Sequence, residues 1–139
     1  MATIEIGGHP VEMIANAATS YAHQRIFNED FLKKQTAIEK MAKEESQAKG
    51  YNPEEPHESD LIALDVYKRL AFTMAMQAEH LGKEEELLRI GEVDYLKWLS
   101  EFENPDALED AILDIIGVYS KQETPTAEEK KEPAPQTDP

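Results

Sequence analysis

Cysteine is missing from all 139 residues of the sequence. Its absence excludes disulfide bonds, zinc sites built on thiolates and thiol nucleophiles, and it fits a reducing cytoplasm. Long apolar runs are missing as well, since no stretch approaches the roughly 20 apolar residues of a membrane-spanning helix. No basic start leads into an apolar segment, so we expect neither a membrane anchor nor a signal peptide.

Positive charge is scarce. The chain carries 14 Lys and Arg against 29 Asp and Glu, which gives a formal net charge of −15. Phosphate backbones and anionic membrane surfaces repel such a chain, so we expect no nucleic acid and no membrane among its partners. The excess of carboxylates favours solubility and attraction to a basic partner.

Motifs for catalysis and for cofactors are also missing. The sequence holds no glycine-rich phosphate loop and no nucleophile elbow, and its four histidines are not spaced as ligands on one helix face. His80 lies near a run of carboxylates, Glu84–Glu86, and a solvated acidic run is the simpler interpretation of that segment. We therefore predict no enzyme, no catalytic residue, no cofactor and no metal. The alternative is an active site assembled from distant residues.

The sequence opens with a hairpin pattern. "ATIEI" alternates, so that Ile4 and Ile6 share one face, and "PVEMIA" returns after the glycines at 7 and 8. Glycine tolerates the positive φ that tight hairpin turns require. A lone hairpin is marginal in water, so we expect it to pack on helices or to join another sheet, and its exposed edge allows self-association.

From Ala17 onward the apolar spacing is helical. It predicts a short helix over about 18–26 and a longer one over about 29–48, with Asn28 as the cap of the second helix. Glu29 then falls in the first turn, where the helix dipole favours an anion.

A proline-containing loop at 50–59 leads to a segment, 60–81, that is apolar on most of its circumference. Such a helix is buried on several sides, so we predict that it is the central helix, capped by Ser59 and ended by Gly82. Two further helices follow, one in "GEVDYLKWLSEFE" and one in "NPDALEDAILDIIGVYS" with Asn104 as its cap.

The last segment, "ETPTAEEKKEPAPQTDP", has four prolines and no large apolar side chain. It cannot bury enough surface to order itself. The predicted architecture is therefore mainly α, with a short N-terminal β-hairpin: a compact domain of four to five helices over 1–121, followed by a disordered, acidic and proline-rich tail at 122–139.

Two groups of side chains have more than one interpretation. Tyr21, His23 and Arg25 alternate along a predicted helix, where they are either a chemical site or a surface that another protein grips. The methionines of the central helix and Trp98 form either core or an adaptable binding surface. Core packing is the favoured interpretation of the methionines and of Trp98, although Trp98 lies one position off the apolar stripe of its helix.

A series of short motifs runs along the chain: the hairpin, "NAATSYAHQRIFNEDFLK", "VYKRLAFTMAMQAEH", "DYLKWLSEFENPDALEDAILDIIGVY" and the acidic tail. This order resembles the tail assembly chaperones of long-tailed, siphovirus-type phages and prophages of Gram-positive bacteria. The chain departs from that pattern with Ser20 where Pro is common, Asn28 where Gly is frequent, and a longer 43–59 segment. The matching residues are Ala17, Ala18, Thr19, Tyr21, Arg25, Phe27, Asp30, Leu70, Ala71, Met74, Ala75, Gln77, Ala78, Trp98, Leu99 and Phe102.

The resemblance covers about 3–120 and implies a function in viral tail morphogenesis. Such a chaperone binds the tape measure protein, a very long helical protein, keeps it soluble while tail tube subunits polymerise around it, and then leaves. It would act in the host cytoplasm and be absent from the mature virion. The partner-binding residues would be Tyr21, Arg25, Phe27, Met74, Met76, Trp98 and Phe102.

Relatives in that family are often made in two lengths by a translational frameshift. Consecutive lysine codons at 130 and 131 fit a slippery site, and a longer form would recruit the tail tube protein. The alternative is that Lys130 and Lys131 are only solvated charges.

A second functional hypothesis rests on charge alone. An acidic protein-binding inhibitor, or a DNA mimic, would block a basic partner with carboxylates spaced like phosphates along one face. About a quarter of the acidic residues lie in the predicted tail and loop, which fits such a face poorly.

Overall fold

The computed structural model describes residues 1–123, which form seven helices and one two-stranded sheet. The predicted class, a mainly α domain with an N-terminal hairpin, is confirmed. Five of these helices have eight residues or more, and the other two have four. In chain order the elements are β1 Ala2–Ile6, β2 His9–Met13, α1 Thr19–Phe27, α2 Phe31–Ser46, α3 Glu58–Glu79, α4 Glu84–Leu87, α5 Glu92–Leu99, α6 Ala107–Asp110 and α7 Ile112–Glu123.

The hairpin forms as the alternation predicts. β1 and β2 pair antiparallel, with Ile6 opposite His9. Between them Gly7 and Gly8 have φ of 59° and 84°, the positive values that both central residues of a type I′ turn require. Ile6 and Met13 are fully buried, so one face of the hairpin packs on the helices.

Asn28 ends α1 rather than capping α2, which corrects the prediction. Its φ of 53° and ψ of 44° are left-handed, and its backbone N–H donates to the Gln24 carbonyl. Asp30 caps α2 instead, because its carboxylate accepts from the Lys33 N–H at 3.1 Å. Asparagine tolerates the left-handed conformation and is also a good N-cap, so its presence fits either end of a helix.

The central position of α3 is confirmed. The helix packs against β2, α1, α2 and α7, and it is buried without a break over 70–77. The Ile14 N–H donates to the Met74 carbonyl at 3.0 Å, which fixes the end of the hairpin to the middle of the helix.

The start of α3 differs from the prediction, because the helix begins at Glu58 and Ser59 is not its cap. His57 precedes the helix in an extended conformation, and its N–H donates to the Asp60 carboxylate at 2.9 Å. Ser59 is buried in the first turn, where its N–H and hydroxyl both donate to the Glu45 carboxylate of α2. These bonds hold the end of α2 against the start of α3.

The C-terminal part departs most from the prediction. The acidic run after α3 forms a short helix, α4. The helix predicted from Asn104 consists of two pieces, α6 and α7, separated at Ala111. Asn104 caps neither piece, since its side chain accepts from the Asp106 N–H at 2.9 Å in the turn before α6. Of the predicted tail at 122–139, residues 122 and 123 belong to α7, and 124–139 lie outside the described residues.

Candidate functional site

A groove of about 700 Å³ opens between the hairpin, the C-terminal end of α3, and α5. Its apolar lining comes from all three elements and includes Val11, Ala75, Met76 and Trp98. Met76 and Trp98 are each 7% exposed, and the Trp98 ring lies 5.5 Å from that of Phe72. The groove is therefore built on the core, with only the edges of these side chains open to a ligand.

The mouth of the groove is mostly negative. Its charged and titratable lining consists of four exposed carboxylates and two basic residues: Glu12, Glu79, Asp94 and Glu101, with His80 and Lys97. The carboxylates belong to the hairpin, to the end of α3 and to α5 or the turn after it. Negative charge therefore borders the groove on more than one side.

The residues proposed as partner-binding from the sequence fall in three places. Met76 and Trp98 line this groove, and the Phe102 ring packs edge-on against Trp98 at 5.1 Å. Met74 is fully buried, so its side chain contributes to the core.

The remaining three lie on α1, outside the groove lining. Tyr21 is 59% exposed and Arg25 is exposed. Phe27 is half-buried, with its ring 6.0 Å from Phe72 and 5.1 Å from Tyr95. The structure thus separates the α1 residues from the groove residues.

A buried polar network explains the histidine in "NAATSYAHQRIF". His23 is fully buried, and its Nε2 lies 2.7 Å from Glu29 Oε1. Arg69 donates to both oxygens of the same carboxylate, from Nε at 3.1 Å and from Nη2 at 2.7 Å. His23 Nδ1 lies 3.0 Å from the Thr73 hydroxyl. The network joins α1, the turn after it, and α3.

The charges in this network follow from its environment. Burial lowers the pKa of His23 below 6.5, although the hydrogen bond with Glu29 acts in the opposite direction. Burial raises the pKa of the Glu29 carboxyl, but hydrogen bonds from Arg69 and His23 outweigh it and hold that pKa below 4.5. The carboxylate is therefore ionised beside Arg69, and the imidazole is neutral, with Nε2–H donating to Glu29. The Thr73 hydroxyl lies within hydrogen-bond distance of both His23 Nδ1 and the Arg69 carbonyl, at 3.0 Å and 3.2 Å.

Hydroxyl, imidazole and carboxylate together are the groups that activate a nucleophile. Here, however, Thr73 and His23 are both fully buried, so no substrate reaches the hydroxyl in this conformation. The rings of Phe27 and Phe31 flank the imidazole at 5.2 Å and 5.7 Å. The arrangement therefore holds α1 and α3 together.

No protein-family model, no curated protein and no solved structure matches the chain. Within residues 1–123, no helix is both long and apolar enough to cross a bilayer. Over the same range, no group of three or more His, Asp or Glu is placed to hold a metal ion. His80, which the sequence places near Glu84–Glu86, directs Nδ1 to the Met76 carbonyl at 3.0 Å.

Sequence reasoning missed the partners of His23 and the acidic border of the groove. The available signal for the first was the four-residue spacing of Arg69 and Thr73, which places both on one face of α3. For the second it was the outward position of Glu12 in an alternating strand.

Proposed function

We propose that this protein is a tail assembly chaperone of a siphovirus-type phage or prophage. It binds the tape measure protein in the host cytoplasm, keeps it soluble while tail tube subunits polymerise around it, and is absent from the mature virion. It acts by binding and carries no catalytic residue. The proposal rests on the motif order along the chain and on one structural observation, the apolar groove.

The groove supports this function because a long helical partner exposes apolar faces until it is covered. Amphipathic helices dock in apolar grooves through side chains that recur every three to four residues. Met76 and Trp98 supply a methionine and an aromatic ring to such a contact, and both residue types are favoured where a surface must fit a partner. The net charge of −15 keeps a complex of this kind soluble.

Co-expression with the tape measure protein of the same genome tests the proposal. We expect the partner to be soluble with the chaperone and to precipitate without it. Ala78→Glu, which places a charged side chain in the groove lining, should abolish the rescue. Ala42→Glu, on the exposed face of α2, is the matched control and should preserve it.

Circular dichroism of both variants establishes that they fold. A tape measure protein that is equally soluble without this chain would refute the function. Genes for a tail tube protein upstream and a tape measure protein downstream would support it.

The proposal extends to a longer form made by frameshift at the Lys130–Lys131 codons, which would recruit tail tube subunits. Mass spectrometry of induced cells should then detect peptides that continue from near Glu129 into an overlapping frame. A gene without a slippery heptamer or without such a frame makes one length only, and this part of the proposal then fails.

A further inference from the structure

We infer that the groove between the hairpin, α3 and α5 accepts an amphipathic helix whose apolar face is flanked by Lys or Arg. The inference rests on the proposed function and specifies which segments of the partner are bound. Three features of the protein support it: the charge around the groove, the end of α3 and the edge of the hairpin.

Charge complementarity gives the sign of the flanks. Four exposed carboxylates border the groove and only Lys97 is a permanent cation there. Across residues 1–123, Glu12, Glu79 and Glu101 form no ion pair. These carboxylates are free to pair with a partner's cations, and an acidic partner would meet like charge on several sides.

The C-terminal end of α3 adds to the negative potential in the groove. Ala78, Glu79 and His80 line the groove, and they are the last residues and the C-cap of a helix of 22 residues. Carbonyl groups at a helix C-terminus carry partial negative charge and stabilise nearby cations. The backbone and the carboxylates therefore favour the same kind of ligand.

The edge of the hairpin selects a helix over an added strand. Pro10 lines the groove and stands opposite Glu5 in the ladder. Because proline has no N–H, this pair cannot be a hydrogen-bonded one, and the Pro10 nitrogen faces away from β1, on the free edge of β2. A strand added there would find no donor at Pro10, the second residue of β2, whereas a docked helix requires none.

Trp98 fluorescence reports the binding of a peptide in the groove. It is the one tryptophan in the chain, and it lines the groove at 7% exposure. The probes are three tryptophan-free peptides of about 18 residues, long enough to form a helix. They share one leucine face and carry Lys, Gln or Glu at the flanking positions.

We expect the Lys-flanked peptide to change Trp98 emission and to bind about tenfold more tightly than the Gln-flanked one, with the Glu-flanked peptide weakest. Raising NaCl from about 0.05 to about 0.5 M should remove most of the difference. Peptide helicity, measured by circular dichroism, should rise on binding.

Variants test whether the carboxylates that border the groove, rather than carboxylates elsewhere on the surface, produce the preference for Lys-flanked peptides. Glu12→Gln, Glu79→Gln and Glu101→Gln together should reduce the Lys-over-Gln preference to about twofold or less. The matched control, Glu39→Gln, Glu44→Gln and Glu109→Gln, removes three exposed carboxylates outside the groove lining and should keep the preference.

The contrary outcomes are distinct. Equal affinity for Lys- and Gln-flanked peptides would overturn the charge selection while leaving the chaperone function intact. No peptide response, together with normal rescue of the tape measure protein, would overturn the location. Trp98 emission that depends on protein concentration alone would show that a second copy fills the groove, and the inference would then be wrong. Failure of the co-expression rescue as well would remove the proposed function itself.

Discussion

At the residue scale, charged and polar groups lie inside an apolar domain at His23, Glu29 and Arg69. Taking an ion pair out of water is costly, and its geometry determines how much of that cost is recovered. Here Arg69 binds both carboxylate oxygens and His23 binds one of them. Each group has its partner, so removal of one side chain should lower the free energy of unfolding by more than that side chain's net contribution, because its partners would stay buried and unpaired.

Glu29→Gln should lower the free energy of unfolding by about 2–3 kcal/mol. Breaking a fully buried pair typically costs about 3–5 kcal/mol, and the lower value applies because the Arg69 side chain is 27% exposed and reaches water. Glu39→Gln, an exposed change on α2, should stay within about 0.5 kcal/mol. Urea unfolding measures both, and a loss below about 1 kcal/mol for Glu29→Gln would show that the network is dispensable.

Acid should destabilise the protein through the same residues. The folded state holds the pKa of His23 below 6.5, so below pH 6.5 the unfolded chain binds more protons and stability falls. The pKa of Glu29 is held below 4.5, so a second loss begins below that pH. His23→Gln should remove the first stage only. Melting temperatures of both proteins across pH 4–7.5 test this, and parallel curves would contradict it.

At the element scale, α3 connects every large part of the domain. Leu70→Ala should cost on the order of 2–5 kcal/mol, because Leu70 is fully buried and its truncation leaves a cavity. Leu61→Ala on the same helix is the control, with a side chain 60% exposed and an expected change within about 0.5 kcal/mol. Denaturant unfolding gives both values, and a loss below about 1 kcal/mol for Leu70→Ala would place Leu70 on the surface and contradict the central position of α3.

Elements were predictable where one local rule applied. The hairpin followed from alternation and two glycines, and α3 from its apolar circumference. Boundaries failed where a residue suits two roles: Asn28 ends a helix as well as it begins one, and Ser59 bonds to Glu45 instead of capping. The helix breaks at Ala111, where the sequence has neither the glycine nor the proline that would predict a break.

The candidate site was predictable only in its apolar half. Met76 and Trp98 stand out by residue type, and their proximity arises from the packing of α5 on α3. Glu12 and Glu79 are far apart in the sequence, and nothing local brings them to one groove. Tertiary packing determines which carboxylates border the groove, so periodicity along the chain cannot identify them.

At the scale of the whole molecule, the net charge of −15 opposes compaction. Salt screens exposed charges beyond roughly 10 Å at 0.1 M but acts weakly on a buried pair. We therefore expect the melting temperature to rise with NaCl. The rise should be smaller in Glu44→Lys/Glu85→Lys, where two exposed carboxylates become cations. Calorimetry from low to high salt measures both, and a fall with NaCl would show that surface ion pairs dominate.

The bonds between the two halves of the chain bear on its synthesis. Ile14 binds the backbone of Met74, and the Thr19 hydroxyl donates to Gln77, 58 residues later, at 2.8 Å. A hairpin alone is marginal in water, and α1 and α2 also pack on α3. A nascent chain released up to residue 57 therefore lacks the surface on which its elements fold. On stalled ribosomes, chains from which only residues 1–57 have emerged should be cleaved by protease throughout those residues, whereas chains from which α7 has also emerged should resist.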